Sequence, residues 1–160
     1  MSSGLSDYRD LLPRGDADAL HIELTDGAIL VAGRYALIMI REGEVIDSAM
    51  WYEVQSARWE GEKQELSVNW VDPARPLLVV HSSHSPMRPF MEDISEKVNR
   101  TQVLVRSVKA PNGAVITAQI RKREDGELFS VLAARGRLDD EAMELAHSLE
   151  KQLRESVGLE

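Results

Sequence analysis

Two histidines, His81 and His84, stand three residues apart in the segment Val80-His81-Ser82-Ser83-His84-Ser85-Pro86. On an irregular loop ahead of a helix, imidazoles at this spacing can converge on zinc, which takes four ligands in a tetrahedron. The sequence marks no further pair of ligands. The plainer reading is a polar loop that caps the helix after it, and no resident metal or cofactor is expected. His21 falls in an alternating strand pattern and His147 in a helical one, each without a marked partner, and both read as ordinary polar positions.

Nucleophilic and phosphate chemistry find less support. There is no Gly-x-Ser-x-Gly turn to present a serine, and the chain has no cysteine. Gly27 and Gly33 are six apart and neither opens a helix, so the donor-lined helix start that cradles a phosphate is missing.

The basic concentration is Arg121-Lys122-Arg123, with Arg135 and Arg137 following. On a hairpin over residues 114–134 these cations can share one edge and hold an anionic ligand; as a plain structural feature they form a charged edge strand that resists edge-to-edge pairing. Glu60, Glu62 and Glu65 beside Trp59 read as a solvated turn. Trp51, Trp59 and Trp70 can present a stacking surface, with Trp51 and Trp59 the candidates for a partner site, although rings of this size more commonly fill a core.

These residues must be placed by a chain of short apolar runs punctuated by turns. Asp26-Gly27, Glu42-Gly43, Glu60-Gly61, Asn112-Gly113 and Asp125-Gly126 each put a glycine where a tight reversal needs positive φ, predicting five hairpins. Seven strands are predicted at 20–24, 28–33, 34–41, 44–50, 53–59, 64–71 and 77–82, and three more at 102–110, 114–122 and 127–134. Leu66, Val68 and Trp70 alternate with polar residues, so that strand buries one face. Leu77 to Val80 is apolar throughout and reads as buried on both.

Two helices are predicted. Phe90, Ile94 and Val98 recur every four residues from Pro89 to Arg100, which makes one apolar stripe. The second helix follows an N-cap at Asp139 and buries Ala142, Leu145, Ala146, Leu149, Leu153 and Val157, with Gly158 as its left-handed stop. Leu138 and Met143 occupy the positions of a hydrophobic staple.

The chain of 160 residues is 43% hydrophobic and 29% charged, the balance of a globular protein long enough to bury a real core. Acidic residues outnumber basic ones by 27 to 19, giving a net charge of -8. That disfavours nucleic acid and anionic membrane surfaces as partners. Residues 1–100 carry 10 basic and 17 acidic side chains, so the acidity sits mainly there. Met1 to Leu12 lacks the charged start and apolar middle of a signal peptide, and no apolar run approaches the ~20 residues of a membrane span, so a cytoplasmic site is expected.

Seven antiparallel strands followed by an amphipathic helix belong to a small set of architectures in which a bent sheet rolls over to hide its edges. The expectation is an α+β fold: a seven-stranded antiparallel barrel over residues 1–101 closed by the helix, then antiparallel strands and a long helix over 102–160, packed with the first unit. The order of elements, with Gly33-Arg34-Tyr35-Ala36-Leu37-Ile38, Ile46, Trp51-Tyr52-Glu53-Val54, Ala57-Arg58-Trp59, Leu66-Ser67-Val68 and the Phe90 helix, resembles bacterial pleckstrin-homology-like domains across residues 18–100. The whole chain is similar to actinobacterial proteins in which such a domain precedes a strand-strand-helix unit. Phosphoinositide-binding members of that superfamily carry Lys and Arg between the first two strands, where this chain has Thr25-Asp26-Gly27. Eukaryotic members place a Trp in the closing helix, where this chain has none.

With no catalytic constellation marked, the balance leans away from an enzyme. The expected role is a protein-binding or scaffold module, with self-association as one form of it and a homodimer as its simplest product. The alternatives are a metal-dependent hydrolase centred on His81 and His84, or weak anionic-ligand binding through Arg121, Lys122 and Arg123.

Overall fold

A computed structural model describes residues 8–159. The expectation for Met1 to Leu12 therefore falls partly outside the described residues. Two compact units divide the chain, Met1–Asn99 and Arg100–Glu160.

In the first unit, β1 (Leu20–Glu23), β2 (Ile29–Ala32), β3 (Ala36–Arg41) and β4 (Glu44–Met50) form a four-stranded antiparallel meander. A single 3₁₀ turn, Trp51–Glu53, leads into a second sheet of β5 (Val54–Glu60), β6 (Glu65–Trp70) and β7 (Leu78–His81), and α1 (Arg88–Thr101) follows. In the second unit β8 (Gln102–Lys109), β9 (Val115–Lys122) and β10 (Leu128–Arg135) make a three-stranded sheet with β9 in the middle, backed by α2 (Asp140–Ser156).

The strands are mostly where the turn signals put them, but they do not close into a seven-stranded barrel. They form three separate antiparallel sheets. The break lies between β4 and β5. There the Glu53 carboxylate accepts the Met50 backbone N–H at 2.7 Å and the chain turns out of the ladder instead of pairing on. At the other end, among the described residues, isolated bonds join the two sheets: Thr25 N–H to the His81 carbonyl at 2.8 Å and the Ser82 hydroxyl to the Glu23 carbonyl at 2.6 Å.

Three hairpins share one construction. At Asp26-Gly27, Asn112-Gly113 and Asp125-Gly126 the Asp or Asn side chain accepts the N–H two residues on, at 3.0, 3.0 and 2.8 Å, and the glycine takes φ near 90°. The side chain replaces a missing backbone partner, and only glycine adopts that φ without strain. Glu42-Gly43 makes the two-residue turn between β3 and β4 with both φ values positive. The β5–β6 turn differs from expectation, because Gln64 and not Gly61 carries the positive φ there.

Leu30, Ala32, Leu37 and Met39 from the first sheet, Leu66, Val68 and Trp70 from the second, and Phe90, Ile94 and Val98 from α1 meet in one core. Each large side chain so buried contributes about 1.5–3 kcal/mol. The strand buried on both faces is β2 and not Leu77 to Val80. Ile29 and Val31 pack on Tyr8, Leu12 and Ala19 of the N-terminal segment, while Leu30 and Ala32 face the main core. Leu77 and Val79 are exposed, because Leu78 and Val80 alone turn inward from β7.

In the second unit Ile116, Ala118 and Ile120 of β9 pack against Ala142, Ala146, Leu149 and Leu153 of α2. The Asp139 side chain accepts the Ala142 N–H at 2.8 Å and starts that helix.

Candidate functional site

The basic run is split by the strand it sits on. β9 is the central strand of its sheet, not an edge, and successive side chains leave it on opposite faces. Arg121 is fully buried; its guanidinium donates to Thr101 Oγ1 at 2.7 Å and to Gln119 Oε1 at 3.0 Å. Burial pushes its pKa down to about 10, which leaves it charged at neutral pH. Lys122 is exposed, and Arg123 lies over the Phe129 ring at 5.0 Å. The three cations therefore do not share a surface, and Arg121 cannot meet a ligand from solvent.

The tryptophans are similarly committed. Trp51 is buried and its indole N–H donates to the Gly33 carbonyl at 2.8 Å. Trp59 is half-buried against the main core. Trp70 donates to the Pro76 carbonyl at 2.8 Å, and the Arg75 guanidinium lies 3.7 Å above its ring while bonding Asp47 of β4 at 3.0 Å. Arg75 thereby ties the two sheets of the first unit. Between them Leu30, Leu37, Met39, Trp70 and Leu78 line a crevice of about 10 Å³, room for a water and not for a substrate.

His81 and His84 have separate partners. His81 Nε2 is 3.3 Å from the Glu65 carboxylate, its neighbour across the β6–β7 ladder. The His84 backbone N–H bonds to Ser82 Oγ at 3.1 Å, and its imidazole acts on His21. Among the described residues no group of three or more His, Asp or Glu side chains is arranged to hold a metal ion. His21 Nδ1 lies 3.1 Å from the Tyr8 hydroxyl. Burial holds its pKa below the ordinary value, and the nearby His84 adds to that.

Sequence patterning gave no hint of one polar cluster. The Ser130 hydroxyl of β10 bonds Glu150 at 2.8 Å and Arg154 at 3.0 Å, both on α2. These bonds tie strand to helix, and His147 lines the same surface pocket as Glu150 and Arg154. Ser130 stands 20 and 24 residues from its two partners, so only the folded unit reveals them.

The face of the second unit's sheet turned away from α2 carries a different character. The register aligns Val105 with Gln119 and Val131, Ser107 with Thr117 and Ala133, and Lys109 with Val115 and Arg135. Gln119 and Arg121 are buried, but Val103, Val105 and Val115 are 45%, 49% and 38% exposed. No helix among the described residues is long and apolar enough to cross a membrane.

No family model matches the chain, and no curated protein matches it. Among solved structures, the FERM and C-terminal domain complex of Drosophila Merlin aligns at 12% identity, with a TM-score of 0.41, over 50% of this chain and 28% of that one. At that score the likeness carries no argument about fold or function, and nothing in it bears on a bacterial origin.

Proposed function

We propose that the chain is a non-enzymatic protein-binding module that engages its partner through the sheet of the second unit. The observation that carries this reading is the exposure of Val103, Val105 and Val115 on the face opposite α2. Val105 and Val115 lie along one sheet face with Ser107 and Thr117 between them, and exposed β-branched side chains there offer apolar surface to a partner. Lys109 and Arg135 flank Val115 in the register, so the face favours an apolar polypeptide segment with acidic residues at its end. His81 stands beside Glu65 and the His84 backbone bonds Ser82, and this separation favours a binding role over a hydrolase centred on the two. A pleckstrin-homology-like relationship of the first unit, without a closed barrel, and a cytoplasmic site of action belong to the same reading and rest on the sequence motifs and the lack of cysteine.

The test compares capture of cellular proteins by the immobilised wild-type chain and by the Val105→Asp, Val115→Asp double variant. Proteins held by the wild type and lost by the variant support the reading. Equal capture by both, or turnover of ester or phosphate substrates by the purified chain, overturns it.

A further inference from the structure

The sheet of the second unit ends on β10, and that outer edge is unguarded. Leu128 to Ala134 holds no charge, glycine or proline, and the strand pairs with β9 over eight residues without a bulge. Every other edge strand carries a device that discourages pairing. β8 has Arg106 and Lys109 and a register shift, β4 has Glu44 and Asp47 and a shift against β3, and β5 has Arg58 and a shift. β1 and β7 are only four residues long.

The hairpin sets the phase of the ladder. Arg123 N–H donates to the Glu127 carbonyl at 2.8 Å, so the hydrogen-bonded pairs of β9 and β10 fall on Phe129, Val131, Ala133 and Arg135. Leu128, Ser130, Leu132 and Ala134 then turn their N–H and C=O groups outward. Among the described residues no backbone group pairs with that edge.

We infer that β10 pairs antiparallel with β10 of a second copy of this chain, about a two-fold axis at Val131, to make one continuous sheet. This inference rests on the reading of the chain as a protein-binding module and names one partner for it. An isologous edge contact needs a strand complementary to its own reverse. With Val131 opposite Val131, Leu128 faces Ala134, Ser130 faces Leu132 and Phe129 faces Ala133, and no like charges meet. At each end the exposed Glu127 stands opposite the exposed Arg135 of the other copy, an attractive cross-strand pair. Moving the register by two residues either way parts Glu127 from Arg135 and drops an outward residue from the ladder at each end. Charge complementarity and the full set of outward backbone groups therefore select the same register.

The test uses the full chain. Light scattering across a concentration series gives a dimer. Because the chain has no cysteine, Val131→Cys introduces a lone thiol. A closely spaced non-hydrogen-bonded antiparallel pair suits a disulfide, so oxidation links this variant into a covalent dimer. Ala133→Cys, which faces Phe129, does not link. Glu127→Arg and Arg135→Glu alone each weaken the dimer roughly tenfold, and together they restore it. A chain that stays monomeric, a dimer in which Val131→Cys fails to link, or a double charge swap without rescue overturns the inference. If Val131→Cys does not fold, as judged by circular dichroism, the charge swap at exposed positions decides. Capture through the valine face is read separately, so a monomer that still holds a partner defeats this inference and leaves the binding module standing.

Discussion

The indole N–H of Trp51 donates to the Gly33 carbonyl at 2.8 Å, which pins the turn between β4 and β5 to the turn between β2 and β3. Gly33 stands where no side chain fits: a Cβ there would lie 2.6 Å from the Asp16 carboxylate and 2.8 Å from the Ala36 carbonyl. Asp16 is itself buried and holds the Arg34 N–H at 3.0 Å, while Gly33 N–H bonds the same Ala36 oxygen at 2.9 Å. Neither neighbour can yield without losing a bond. Gly33→Ala is expected to destabilise the first unit by about 1–3 kcal/mol, the cost of overpacking. Urea unfolding followed by Trp fluorescence reads this directly, since all three tryptophans lie in that unit. A midpoint equal to the wild type would show that the corner is looser than its geometry.

Much of the secondary structure was legible because its signals are local. Asp26-Gly27, Asn112-Gly113 and Asp125-Gly126 announce their own turns, and the Phe90, Ile94 and Val98 spacing announces α1. The break between the first two sheets was not legible, since it is set by a side chain, the Glu53 carboxylate that takes the Met50 N–H at 2.7 Å, and not by any change in the strand pattern. The fate of the basic run depended on strand order. Arg121-Lys122-Arg123 reads as a solvated edge until β9 is known to be central, and then alternation sends Arg121 to one face and Lys122 to the other. Both faces of β2 are buried because the Tyr8 segment returns across it, and no periodicity within β2 could announce that.

His21 predicts a pH dependence. In the unfolded chain its imidazole titrates near 6.5, whereas in the fold burial, then His84, and to a lesser degree Arg9 hold the pKa lower, with Glu23 opposing them. The unfolded chain thus binds the extra proton first as pH falls. Stability is fully present above 6.5 and declines as pH drops from there toward the folded pKa. His21→Gln removes this contribution, so its thermal midpoint should fall less steeply with acid over that interval. Parallel slopes for variant and wild type would refute the assignment.

Asp139 begins α2 by accepting the Ala142 N–H at 2.8 Å, with Asp140 and Glu141 in the first turn favouring the positive end of the helix dipole. Asp139→Ala leaves that N–H unpaired and is expected to cost about 1 kcal/mol, within the usual range of about 0.5–2 for an N-cap. Asp139→Asn, which keeps the acceptor, should recover most of it. Chemical denaturation followed by far-ultraviolet circular dichroism distinguishes the two. Equal losses in both variants would mean that charge, and not the cap, is what matters.

Arg121 separates a structural cation from a ligand-binding one. Its guanidinium donates to Thr101 and to Gln119 inside the protein. Arg121→Met keeps the apolar stem but removes the guanidinium and its bonds, and bonds from a charged group are worth about 1.5–3 kcal/mol apiece. Relief from burying a charge offsets part of this, so a net loss of about 1–3 kcal/mol is expected. Arg121→Lys keeps the charge but replaces a planar fork with a compact, strongly hydrated ammonium, and should be at least as destabilising. Retention on heparin should be the same for both variants and the wild type, because the group is already shielded from solvent. A drop in retention for Arg121→Met, with the fold intact by circular dichroism, would return Arg121 to the surface and revive anionic-ligand binding.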